Sequence, residues 1–330
     1  MIDGGEGRRP GRPGGFQVER TGGPMHGSEH GGTSAGAAPG GLRRATRREL
    51  IAAYDVLLLD AYGVLLDADG PLPGAAELLA DLRAAGREFY ILTNDASRTV
   101  SETEAVYRVR GLDIPAAHIV TSGSLLPGYF ARHGLAGRRC AVLGPEGSRR
   151  NVAAAGGVPV AVAADADADV LVVCDETGYP FLETVDAALS LVWRALDRGR
   201  EIHLLLPNPD LIFPKGGGRY GLTAGSIALC LEAALRLRHD ATAAPAFRRL
   251  GKPHPEMFAE AARRAGGGRM VMIGDQLETD IRGAIDFGID AALVGSGVTR
   301  TCDPRAWPVR PTCWLPSLAD ADGAGPGDLL

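Results

Sequence analysis

Val56-Leu57-Leu58-Leu59-Asp60-Ala61-Tyr62-Gly63-Val64 joins an unbroken apolar run to an aspartate and a glycine loop. A short apolar run closed by a turn signal reads as a strand buried on both faces, the kind found in parallel sheets. A carboxylate at the end of such a strand, with a glycine loop behind it, is exposed enough to act as a nucleophile or a metal ligand. Taken by itself, an Asp in that position is more often a turn or cap residue.

Outward from that segment the same rhythm recurs. Apolar runs at 56–59, 89–92 and 118–121 are each followed by an amphipathic stretch, at 75–85, 102–110 and 124–133. The pattern returns at 270–273, 279–287 and 291–294. Strand and helix patterns alternating at this spacing predict βαβ units and an α/β fold, a doubly wound parallel sheet. In such a sheet the ligand lies beyond the C-terminal ends of the strands. A second α/β pattern, with strands at 140–143, 170–174 and 202–206 and helices at 182–198 and 225–236, interrupts the first. This order predicts a core domain built from residues 49–135 and 248–316, with an α/β domain inserted at 136–247. Residues 1–48 are rich in Gly, Pro and Arg without hydrophobic periodicity, and they are expected to form a disordered tail, as are residues 317–330.

Length and composition bound the rest. A chain of 330 residues with 45 % hydrophobic and 23 % charged residues is globular, and its length predicts two domains. No apolar run approaches the ~20 residues that cross a bilayer, so no membrane partner is expected. Five cysteines, never in a CxxC pair, indicate neither a disulfide framework nor a cysteine zinc site, and a reducing cytoplasm is the expected setting. The net charge of −5 conceals eight Arg against four acidic residues in the first 48, so the remainder is more acidic still. An acidic body repels phosphate backbones, which excludes nucleic acid as the expected partner. Of 35 basic residues only two are lysines, Lys215 and Lys252. A chain that uses Arg as its general cation places Lys where a compact ammonium is required.

Four strand ends carry candidate chemistry. Asp60 follows the first strand. Thr93 and Asn94 follow the second at a strand-to-helix turn, where a hydroxyl and main-chain amides can hold phosphate oxygens. Lys252 lies in Gly251-Lys252-Pro253-His254-Pro255, where its ammonium can neutralise a carboxylate and a phosphoryl group together. Asp275 and Asp280 follow the strand at 270–273, both able to face one cation. Oxygen ligands without neighbouring His or Cys point to magnesium. Together these residues suit a carboxylate nucleophile, a phosphoryl group and Mg²⁺, with metal and lysine offsetting the repulsion between two anions.

The order of these four stations over residues 52–300 resembles the haloacid dehalogenase (HAD) superfamily. Asn208-Pro209-Asp210-Leu211-Ile212-Phe213-Pro214 and the stretch 274–299 resemble its class IIA branch, which contains nitrophenylphosphatase-like and phosphoglycolate-phosphatase-like enzymes. The resemblance implies a Rossmann-like core with an inserted C2-type α/β cap, and a Mg²⁺-dependent phosphohydrolase acting on a small phosphorylated metabolite. It implies that Asp60 becomes an aspartyl-phosphate and that Thr93 and Lys252 hold phosphoryl oxygens. Asp60, Asp275 and the Tyr62 main-chain carbonyl would bind Mg²⁺, with Asp280 in support, while Asn94 would lie near the phosphate and Asn208 near the cap's substrate loop. A homodimer formed through the cap is also implied. Tyr62 departs from the pattern: phosphatases of this family carry there an Asp that protonates the leaving group and later activates water. Asp60-Ala61-Tyr62-Gly63 instead resembles the first motif of 2-haloacid dehalogenases, whose halide leaves without a proton. The alternatives are therefore a dehalogenase-like hydrolase and an attenuated phosphate-binding or regulatory protein.

Overall fold

The computed structural model describes residues 41–215, 219–238, 245–299 and 309–319. In chain order the strands begin with β1 (Val56–Asp60), β2 (Glu88–Thr93) and β3 (Ile119–Thr121). There follow β4 (Arg139–Leu143), β5 (Val158–Val160), β6 (Val170–Val173) and β7 (His203–Leu206). A hairpin, β8 (Ile212–Pro214) and β9 (Tyr220–Leu222), precedes β10 (Arg248–Arg249). The last three are β11 (Met270–Gly274), β12 (Asp290–Val294) and β13 (Cys313–Leu315).

Two parallel sheets result. The first has the order β13-β12-β11-β1-β2-β3 and the second, made only of strands between β3 and β11 in the chain, the order β10-β7-β6-β4-β5. The unbroken apolar runs have a physical cause, since every residue of β1 is buried and its side chains alternate between two cores. Leu57 and Leu59 pack with Leu65, Leu78, Ile91 and Ile273 on one face. Val56 and Leu58 pack with Leu92, Phe130, Phe258 and Met272 on the other, in a cluster that continues into Val142, Val172 and Leu205 of the second sheet. The far face of that second sheet is covered by the helices Phe181–Asp197 and Ala224–Leu235 through Leu191 and Ile227. The fold is α/β with a Rossmann-like core. In the first sheet the chain winds from β1 to β2 in one direction and crosses to β11 on the other side, so the strand order reverses between β1 and β11. That reversal opens the crevice in which such sheets bind ligands.

Residues near both expected boundaries pack onto the rest of the chain. Within the expected tail of residues 1–48, Thr46 caps the helix Arg47–Ala53 in a reciprocal box with Glu49, and the Ala45 N–H donates to the Trp314 carbonyl at 2.9 Å. Arg47 is buried and reaches Asp81 and the main-chain carbonyl of Leu318 at 2.6 Å. Leu318, in the expected tail 317–330, is itself buried. Arg47 and Leu318 meet across some 270 positions of chain, a contact that local composition does not contain. Residues 1–40 and 320–330 lie outside the described part.

Candidate active site

Asp60 is the last residue of β1 and Thr93 the last of β2, while Asp275 follows β11 directly. These three strands are adjacent, so their C-terminal ends converge. Lys252 comes from the loop after β10, which carries the chain back from the second sheet to the helix Pro255–Ala265. Asp280 lies in a π-helical turn, Leu277–Ile281, rather than in the regular helix predicted there. Its Oδ2 accepts the main-chain N–H groups of Asp275 and Gln276 at 3.2 and 3.1 Å, which ties the turn to the end of β11.

The centre is a buried charge cluster. Lys252, 3 % exposed, places Nζ 2.5 Å from Asp60 Oδ1, 2.8 Å from Asp280 Oδ1 and 2.9 Å from the Leu92 carbonyl oxygen. Burial disfavours the ammonium, but the Asp280 and Asp60 carboxylates outweigh it and hold its pKa above the ordinary lysine range. Burial pushes the Asp60 carboxyl up to about 7 against the pull of Lys252. Burial also raises Asp275 well above the ordinary carboxylate range, with the charges of Asp60 and Asp280 adding to the effect. Asp275 Oδ2 accepts the Val298 N–H at 2.6 Å, whereas its Oδ1 is buried with no hydrogen-bond partner. A Cβ at position 63 would lie 2.4 Å from Asp275 Oδ2, so Gly63 is what lets the first loop close on this carboxylate.

One carboxylate oxygen from each of Asp60, Asp275 and Asp280 lies within 4.8 Å of the others. Three buried carboxylates against one ammonium leave excess negative charge, and an unpartnered oxygen points into it. A hard divalent cation fits this all-oxygen set.

Above the cluster opens a cavity of about 660 Å³, lined by Asp60, Tyr62 and Thr93 at and beyond the ends of β1 and β2, by Lys252 from the loop after β10, and by Asp175 and Asn208 from the loops of the second sheet. Tyr62 is 39 % exposed into this space. Asn208 uses its side-chain oxygen to accept the Asp210 N–H at 3.0 Å. Asn94 also reaches the cavity wall, but its amide is committed. Nδ2 donates to Asp210 Oδ1 at 2.8 Å and to the Lys252 carbonyl at 3.0 Å, and Oδ1 accepts the Lys252 N–H at 2.8 Å. Asn94 therefore clamps the Lys252 loop and Asp210 in place. Burial lifts the Asp210 carboxyl to about 6, and no sequence signal assigned it a role beyond its place in a quoted stretch. Asp175, Glu176 and Arg219 also line the cavity without having been anticipated; nothing in their local sequence marks them, because the fold of the second sheet brings them there.

Asn94→Ala removes three hydrogen bonds, two of them buried, and leaves the Lys252 main chain unpaired, so it is expected to cost about 2–3 kcal/mol of stability. The midpoint of urea unfolding measures this, and an unchanged midpoint would show that the clamp is not structural.

Two family profiles match the chain: haloacid dehalogenase-like hydrolase over residues 57–157 and HAD-hydrolase-like over residues 249–321. The gap between them holds most of the second sheet. The chain is 31 % identical over 265 residues to the dihydroxyacetone phosphatase of Corynebacterium glutamicum, covering 80 % of this chain and 89 % of that one. The structure of a possible sugar phosphatase of the HAD superfamily from Cytophaga hutchinsonii superposes with a TM-score of 0.73 at 28 % identity, over 84 % of this chain and 99 % of that one. A glycerol phosphate phosphatase from Mycobacterium tuberculosis, solved in complex with calcium, superposes with a TM-score of 0.68 at 27 % identity, over 82 % and 76 %. On this likeness of sequence, fold and site, the chain belongs to the haloacid dehalogenase-like hydrolases, in their class IIA branch of phosphatases.

Proposed function

We propose that this protein is a Mg²⁺-dependent phosphohydrolase of a small phosphorylated metabolite, working through an aspartyl-phosphate at Asp60. The observation that carries the reading is the Lys252 ammonium bridging Asp60 and Asp280 at the floor of the cavity, beside the unpartnered oxygen of Asp275. Asp60, Asp275 and the Tyr62 carbonyl would hold the metal, with Asp280 supporting it. When bound, the metal offsets the repulsion between carboxylate and phosphoryl group. An Asp60 carboxylate oxygen attacks phosphorus, the bond from phosphorus to the leaving oxygen breaks, and that oxygen departs with the electron pair. Lys252 and the Thr93 hydroxyl steady the phosphoryl oxygens. Water then attacks phosphorus, releasing inorganic phosphate and restoring Asp60. Asn94 and Asp210 keep the Lys252 loop in register. On this reading residues 49–135 and 248–316 make up the core domain, and residues 136–247 an inserted cap that closes over the substrate.

Tyr62 shapes the kinetics. With no carboxylic acid at that place, an alkyl phosphate must expel an alkoxide unassisted, and a general acid is typically worth about 10²–10⁴-fold. Nitrophenyl and acetyl phosphate, whose leaving groups are stable anions, are expected to be cleaved far faster than any alkyl monoester. Tyr62→Asp should raise the alkyl rate more than the aryl rate. A wild-type enzyme already fast on alkyl esters would mean that another residue supplies the proton.

The test of the whole reading is phosphate release from a panel of esters with and without Mg²⁺. Metal-dependent release supports it. Metal-independent halide release from 2-haloacids would favour the dehalogenase-like alternative, and binding without turnover a regulatory one.

A further inference from the structure

Lys215, the second of the chain's two lysines, has no part in the reaction outlined above, yet it lines the same cavity as Lys252. It sits at the end of β8, and its main-chain N–H donates to the Arg219 carbonyl at 2.8 Å. The two cations are thus held together at the tip of the hairpin, and Arg219 lines the cavity as well. The Lys215 ammonium lies 5.3 Å from the centre of the Phe213 ring. Its stem passes over Gly221, where an added Cβ would stand 2.5 Å from the lysine Cε and 2.6 Å from the ring. Phe213 and Gly221 are register partners, so the absence of a side chain at 221 is what lets lysine and ring lie across the hairpin. This cation is positioned rather than loose.

Nor is its charge neutralised. The loops of the second sheet contribute three carboxylates to the cavity, Asp175, Glu176 and Asp210, but Asp175 Oδ1 is engaged by the N–H and hydroxyl of Thr177 at 3.0 and 2.6 Å, and Asp210 Oδ1 by the Asn94 amide at 2.8 Å. Among the described residues, none of the three forms an ion pair with Lys215 or Arg219. Two adjacent, unneutralised cations in the wall of a concave site attract an anion. At about 660 Å³ the cavity is of the size that encloses a whole small molecule, well beyond a phosphoryl group.

We propose that Lys215 and Arg219 receive a second anionic group of the substrate, a carboxylate or a phosphate at the end remote from the phosphoryl group held at Asp60. This rests on the reading of Asp60 and Lys252 as the phosphoryl site. Substrates of this class are phosphorylated acids and bisphosphates; a monophosphate with a neutral far end would leave both cations without a counter-charge.

The experiment is calorimetric binding in Mg²⁺ buffer to protein carrying Asp60→Asn, which does not turn the ligands over. The probes are matched pairs. 6-Phosphogluconate and sorbitol 6-phosphate differ only in a carboxylate against a hydroxymethyl end, and fructose 1,6-bisphosphate and fructose 6-phosphate differ only in the second phosphate. The anionic member of at least one pair is expected to bind about tenfold more tightly, the lower end for a charge-assisted contact close to solvent; which pair shows it distinguishes carboxylate from phosphate. Lys215→Ala with Arg219→Ala should erase that preference, and Lys215→Glu with Arg219→Glu should reverse it, circular dichroism showing that the variants are folded. Equal binding within both pairs, or a preference that survives the double substitution, overturns the proposal. Failure of every probe and of inorganic phosphate to bind would instead overturn the phosphoryl site itself.

Discussion

Asp60→Asn is expected to lower kcat by about 10⁴-fold or more, the scale seen when a covalent nucleophile is removed. The amide keeps the shape of the carboxylate, and one oxygen can still accept the Lys252 hydrogen bond that Asp60 Oδ1 accepts at 2.5 Å. What is lost is the negative oxygen that attacks phosphorus in the proposed reaction. Fold and Mg²⁺-assisted phosphate binding should therefore survive, which separates chemistry from structure. Measurement requires kcat on nitrophenyl phosphate together with a phosphate-binding titration. A kcat within tenfold of wild type would remove Asp60 from the nucleophile's role.

Lys252→Ala is expected to cost about 10²–10³-fold in kcat/KM, the loss typical of one preorganised electrostatic contact to a developing charge. It should also destabilise the fold, because Asp60 and Asp280 are buried and each lies within 2.8 Å of the ammonium. Removing one member of a buried charge group leaves the others uncompensated, at a cost of about 3–5 kcal/mol. Added Mg²⁺ should recover part of that stability while recovering little activity, since it restores the charge balance but not the contact to phosphoryl oxygen. Lys252→Arg should rescue little of either. Three acceptors converge on one nitrogen, and a planar guanidinium cannot put a single atom in that place. Near-complete rescue by Arg would show that charge alone matters there.

How much of the site was legible from residues alone can be judged one position at a time. Asp60, Thr93 and Asp275 could be found because each follows an apolar run, and in a parallel sheet a strand's end is where its side chains meet the ligand. Lys252 stood out because the chain uses lysine only twice. Asn94 stood out as a strand-end residue, but its clamp on Lys252 and Asp210 could not be read, since it joins residues more than a hundred positions apart. The hairpin β8–β9 escaped notice because its strands are only three residues each, too short for a period to declare itself.

The sequence by itself determined the class of fold, the order of the strands' chemistry and the composition of the charged centre, because each is encoded over a few neighbouring residues. A parallel strand buried on both faces has to be apolar throughout, and a carboxylate that meets a ligand has to come where that run stops. Only the tertiary structure decided that Arg47 seats against Leu318. It alone brought the hairpin cations and the Asp175 loop of the second sheet into the cavity over Asp60. Such contacts depend on how two separately built sheets meet, and no local pattern of propensity or hydrophobicity records that meeting.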